Sequence, residues 1–218
     1  MTAGASPLFR LRGVEVHRST RLVLGPIDLD LPFAGPIVLS GPSGAGKSSL
    51  LRLLNRLDAP SAGRIDLNGT DIASQDPCQL RRRVAMVFQR PVVLPGTIAD
   101  NLAEADPGLE RSAQEALLER VGLDPRLLDR PARELSGGEA QRMGLARSLA
   151  TAPEVVLFDE PTSSLDRASA TRIEELAVQL EADGITTIWV THDEDQGRRL
   201  ARHRVMLERG LVVEAGPA

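Results

Sequence analysis

Gly41-Pro42-Ser43-Gly44-Ala45-Gly46-Lys47-Ser48 fills every fixed position of the pattern G-x-x-x-x-G-K-[ST]. Such a loop works only where a buried strand ends just before it and a helix begins just after. Both flanks are present. Pro36-Ile37-Val38-Leu39-Ser40 is a short apolar run suited to a buried strand, and Ser49 to Leu57 carries leucines at helical spacing. The glycines let successive backbone N–H groups turn inward, and the helix N-terminus adds positive partial charge, so the stretch is built to hold an anion. In this reading Lys47 reaches the β and γ phosphates of a nucleotide and the Ser48 hydroxyl holds Mg²⁺. A Gly-rich turn before a core helix would need neither Lys47 nor Ser48 in register.

Lys47 is the only lysine among 26 basic residues. A compact ammonium suits a site crowded by phosphates better than the planar fork of arginine does. The rest of the composition narrows the class. A chain of 218 residues with 42% hydrophobic content is long enough for one large domain, or one domain with a modest insertion, and its net charge of −4 gives no reason to expect a nucleic-acid surface. Cys78 is the single cysteine, which rules out an internal disulfide and fits a reducing compartment. Met1 to Pro7 lacks the features of a secretory leader, and no run is long enough to span a bilayer. Action at a membrane would need a separate membrane partner.

Taken in order, Leu8 to Val16 alternates apolar and polar residues as a half-exposed strand does, and Leu22 to Leu31 repeats the habit with a break at Gly25-Pro26. Arg64 to Leu67 closes on Asn68-Gly69, a hairpin signal. Arg81-Arg82-Arg83 reads as a solvated helix end before a buried strand, Val84 to Phe88, which stops at Gln89. Pro91, Pro95 and Gly96 mark an irregular stretch, and helical patterns follow at Leu109 to Val121, Leu127-Leu128 and Glu139 to Leu149. Beyond them come a strand at Glu154 to Glu160, an amphipathic helix at Arg167 to Leu180, and a strand at Ile185 to Val190. A basic helix and a closing hairpin around Gly210 end the chain.

Two further stretches carry chemistry. Asp159-Glu160 ends a strand, the place where open α/β sheets gather ligands. Two adjacent buried carboxylates are costly unless a cation and a proton-transfer role accompany them. Asp159 is assigned to supporting Mg²⁺ through water, and Glu160 to polarising the attacking water. Ser136-Gly137-Gly138-Glu139 fits a capping box, and the same geometry also makes an anion site from exposed N–H groups and the helix dipole. The residues alone leave both readings open.

The order of phosphate loop, Gln89, Leu135-Ser136-Gly137-Gly138-Glu139, Asp159-Glu160, Ser163-Ser164-Leu165-Asp166 and His192 resembles the nucleotide-binding subunits of ATP-binding-cassette (ABC) transporters. The resemblance runs from about Leu8 to Glu214. It implies an α/β P-loop NTPase with a mixed parallel core sheet, an antiparallel β subdomain and a helical signature subdomain. The division expected within this single domain is a core with its β subdomain at 1–89 and 152–218, and a helical unit at 90–151. Residues Gly41 to Ser49 would hold the nucleotide phosphates. Gln89 would sense Mg²⁺ and the attacking water. Ser136, Gly137 and Gly138 would cap the γ-phosphate held by a second copy, Asp166 would link the two sites, and His192 would contact the γ-phosphate. Family members usually stack adenine on an aromatic residue at a position that here falls on Arg18, with His17 beside it.

The implied function is an ATPase, with ATP and Mg²⁺, that drives solute transport through an integral membrane subunit by head-to-tail homodimerisation. Its expected place is cytoplasmic, peripheral on the inner face of the cell membrane. Val93 to Asn101 and Trp189 to Asp193 are similar in wording to the small iron-export type. Soluble cassette ATPases of DNA repair or of the ribosome are the rival class. The former carry long coiled coils and the latter usually two cassettes, neither of which is seen here.

Overall fold

The computed structural model describes residues 6–33 and 35–218; Met1 to Ala5, part of the stretch read for a leader, lie outside them. The chain opens with two long strands, β1 (Phe9–Arg18) and β2 (Arg21–Leu31). The short β3 (Ile37–Ser40), helix α1 (Lys47–Leu54) and the hairpin strands β4 (Ala62–Leu67) and β5 (Thr70–Asp71) follow. Helix α2 (Pro77–Arg83) leads into β6 (Val84–Val87), then α3 (Ile98–Ala103), α4 (Arg111–Arg120) and α5 (Gly137–Leu149). The last part alternates β7 (Val155–Asp159), α6 (Arg167–Ala182), β8 (Thr186–Val190) and α7 (Glu194–Leu200). It closes on the hairpin strands β9 (His203–Glu208) and β10 (Leu211–Pro217).

The strands form two sheets. One is antiparallel, in the order β2-β1-β4-β5. The other has the order β10-β9-β3-β8-β7-β6, with every neighbour parallel except the β10–β9 hairpin. This is the expected α/β class, with a mostly parallel core sheet, an antiparallel unit and intervening helices.

Parallel strands covered on both faces are mostly apolar, and every residue of β7 and β8 is buried, Asp159, Thr186 and Thr187 being their polar members. Side chains of the central strands alternate between two cores. Ile37, Leu39, Leu157, Ile188 and Val190 face a cluster that takes in α1 and the antiparallel sheet. Val38, Val156, Phe158 and Trp189 face the other way, against α5, α6 and the helices around them. There the Phe158 and Trp189 rings stack with centroids 4.6 Å apart.

Several sequence expectations need correction. β2 is not broken at Gly25-Pro26 but runs through it, because Gly25 passes so close to β1 that a Cβ would fall 2.2 Å from the Val14 carbonyl. α1 begins at Lys47 rather than Ser49 and ends at Leu54, with Arg56 already at φ 54°. α3 was not anticipated as a separate element. Its signal was the Thr97…Asp100 capping box, both halves of which form. Helix α7 starts acidic, at Glu194 and Asp195, and turns basic only in its last turn. Arg83 is not merely solvated, since it pairs with Glu154 at the foot of β7 at 2.7 Å.

Four caps share one titration behaviour. Asp100, Asp166, Asp193 and Glu139 are each held below the ordinary carboxylate range, chiefly by accepting backbone N–H groups at the start of their helices. A carboxylate depressed by folding contributes stability that is complete above its unfolded value and lost as pH falls through the folded one. Melting temperature is therefore expected to be level above about pH 5 and to decline below about pH 4. Thermal melts across that window check it, and a protein whose stability rose on acidification would contradict it.

Candidate functional site

Register places the singled-out residues at one edge of the parallel sheet. Val190 pairs with Leu39 on one side and Asp159 on the other, and Val87 pairs with Phe158. The segments that leave these carboxyl ends are the phosphate loop after β3, Gln89 after β6, Glu160 after β7 and His192 after β8. This is where an open α/β sheet presents its ligand site.

The loop leaves β3 through Gly41, at φ 136°, where any Cβ would fall 2.0 Å from the Leu207 carbonyl oxygen of β9. It enters α1 at Gly46, which offers no side-chain cap to the first-turn amides. Lys47 is 5% exposed. Its Nζ donates to the carbonyls of Gly41 and Pro42 at 2.8 and 3.0 Å. Burial lowers its pKa, opposed by the nearby charges of Glu160 and Asp159. The Ser48 hydroxyl donates to Asp159 Oδ1 at 2.6 Å, and the Arg52 guanidinium lies 3.6 Å from the other carboxylate oxygen. A cavity of about 170 Å³ opens onto the loop, lined by Ser43, Gly44, Gly46 to Ser49 and Glu160. Ala45 does not line it. Its methyl group is in the core, and its N–H and carbonyl are bonded to Pro42 and Gly210.

Glu160 adopts φ 49°, unusual for a residue with a side chain, and its N–H is anchored on the Val190 carbonyl at 3.1 Å. Backbone strain of this kind collects at functional sites. Two other singled-out residues converge on its carboxylate: His192 Nδ1 at 3.2 Å and Gln89 Nε2 at 3.4 Å. Gln89 also donates to Ser163 Oγ at 3.1 Å, and Ser163 in turn donates to the Glu160 carbonyl. Ser163 and Arg52 join the site although the sequence reading assigns them no role. The signal for Arg52 was its place one helical turn after Ser48.

The remaining residues lie elsewhere. Ser136 and Glu139 form the full capping box, with bonds of 2.8 and 3.3 Å. The amides of Gly137 and Gly138 begin α5, and Gly138 sits where a Cβ would come within 2.7 Å of Ser169 Oγ. Ser169 is bonded to Asp166, the N-cap of α6. Neither the Ser136 turn nor Asp166 lines the phosphate-loop cavity. Arg18 does not line it either; its guanidinium is paired with Asp58.

The donor set fits Mg²⁺. Ser48 and Asp159 supply hard oxygen atoms side by side, and this ion is typically held by one or two protein oxygens plus phosphate and water. Among the described residues no cluster of three or more His, Cys, Asp or Glu forms an all-protein metal cage.

Comparison with known proteins places this geometry. A family profile described as ABC transporter matches residues 24–163. The protein STAR1 of Oryza sativa subsp. japonica is 44% identical over 99% of this chain, which spans 64% of STAR1's length. The arginine transport ATP-binding protein ArtP of Escherichia coli K12 is 40% identical, over 96% of this chain and 92% of its own. Among solved structures, the ATP-binding cassette MJ0796, a dimer in a post-hydrolysis state bound to ADP and Pi, matches with a TM-score of 0.83. It is 27% identical over 96% of this chain and 98% of that one.

Proposed function

Because the chain belongs to the ABC transporter family, as an ATP-binding and ATP-hydrolysing unit, we propose that two copies act head to tail as the motor of a transporter. Each ATP would lie between the phosphate loop of one copy and the Ser136 turn of the other. The observation that carries this reading is a separation. Ser48 bonds Asp159, and Gln89 and His192 bond Glu160, at one sheet edge beside Lys47, whereas the side-chain bonds of the exposed Ser136 turn stay within its own capping box. A second turn with exposed amides that shares no side-chain bond with its own chain's loop is suited to serve a partner's.

In this account Lys47 leaves the Gly41 and Pro42 carbonyls to bind the β and γ phosphates. Ser48 and Asp159 hold Mg²⁺, which when bound neutralises charge developing on the phosphates. Glu160, oriented by His192 and Gln89, accepts a proton from the attacking water. His192 also reaches the γ-phosphate, and Asp166, bonded to Ser169 beside Gly138, passes the state of one site to the other. Arg18 offers its guanidinium plane to the base. Cleavage removes the group shared by both copies, and they part.

Residues 90–151 form the helical unit that moves against the core, hinged at Gln89. No helix among the described residues is long and apolar enough to cross a membrane. In this account the path belongs to a separate integral membrane subunit, with this chain on its cytoplasmic side.

Sedimentation tests the reading. Glu160→Gln protein with ATP is expected at twice the monomer mass, and with ADP at the monomer mass. Adding Ser136→Arg should abolish the dimer while leaving labelled-ATP binding in place. A monomer under all conditions, or a dimer indifferent to Ser136→Arg, would sink the head-to-tail account.

A further inference from the structure

Arg52 follows Ser48 by one turn of α1, and residues four apart share a helix face. From that face both side chains reach the same carboxylate, Ser48 at Asp159 Oδ1 and Arg52 Nη2 at Oδ2, 2.6 and 3.6 Å away. The Asp159 side chain is 7% exposed and that of Arg52 is 50% exposed. Lys47, although adjacent, directs its hydrogen bonds to the Gly41 and Pro42 carbonyls. Among the described residues, Arg52 is thus the one cation within ion-pair reach of this buried acid.

Burying a carboxylate without a countercharge is costly. Arg52 supplies one from the solvent side, at small cost, because a half-exposed guanidinium keeps much of its hydration. The same charge has a second effect. A divalent cation seated on Ser48 and Asp159 lies beside a fixed positive group and is repelled by it.

We propose that Arg52 is a positioning residue that sets the metal affinity of the site. Its charge beside Asp159 keeps the grip on the divalent ion weak enough for the metal to exchange at each turnover. This rests on the assignment of Ser48 and Asp159 to the metal.

Manganese provides the test, because free Mn²⁺ can be counted by its paramagnetic resonance signal without any turnover. Wild type, Arg52→Met and Arg52→Lys are titrated with Mn²⁺ in the presence of an unhydrolysable ATP analogue kept below the protein concentration, beside a protein-free analogue control, so that metal chelated by free triphosphate is not counted as bound to the site. Arg52→Met is expected to bind Mn²⁺ roughly three- to tenfold more tightly, and Arg52→Lys, which keeps the charge, to stay near wild type. Melting curves in chelator, without nucleotide, should show Arg52→Met folded but less stable. If Arg52→Met lowers the melting temperature yet leaves Mn²⁺ affinity unchanged or weaker, Arg52 is a packing residue and the proposal is wrong. If the wild type takes up no Mn²⁺ with the analogue, the assignment of Ser48 and Asp159 falls, and the role of Arg52 with it.

Discussion

Glu160→Gln is expected to reduce ATP turnover by about 10³-fold while leaving ATP binding intact. The amide keeps the size of the carboxylate and one acceptor oxygen, so the contact that His192 Nδ1 makes at 3.2 Å can survive. What it loses is basicity. Gln89, held between Glu160 and Ser163, would still be anchored on Ser163 at 3.1 Å. The site would therefore assemble but take no proton from water, and the γ-phosphate would remain to hold two copies together. Phosphate release measured beside the dimer fraction on gel filtration checks both halves. Hydrolysis at the wild-type rate would place the general base elsewhere.

Lys47→Ala should act earlier, on binding. Hydrogen bonds between charged partners contribute about 1.5–3 kcal/mol each, and in the proposed account Lys47 exchanges its two carbonyl partners for two phosphate oxygens. A loss of at least about 10²-fold in nucleotide affinity follows. Without nucleotide, the variant also leaves the Gly41 and Pro42 carbonyls without their Nζ donor. Arg is not expected to rescue, since a guanidinium fork is too wide for a pocket in which Lys47 is 5% exposed. Titration with labelled ATP, paired with a melting curve to confirm folding, tests this. Affinity within a few-fold of wild type would mean that the phosphates are held by the loop amides alone.

Much of the molecule was legible from one chain of letters because the signals were local. The loop from Gly41 to Ser48 demands a strand before it and a helix after it, and β3 and α1 are both present. Asn68-Gly69 demands a tight hairpin, and β4 pairs with β5 across it. Mostly apolar runs point to strands covered on both faces, and β7 and β8 are that. Boundaries slipped where a neighbour overrode local preference, as when β2 continued through Gly25-Pro26 alongside β1.

Residue types and spacing therefore determined the phosphate loop, the strand ends that bear carboxylates and the capped start of α5, since each depends on bonds within a few residues. Only the folded sheet decided that Gln89, Glu160 and His192 touch, and that Arg52 and Ser48 grip one acid from one helix face. Those contacts join residues far apart in the chain, and strand order and register bring them together. Neither can be read from any single segment, because each is set by how all the strands share one buried sheet.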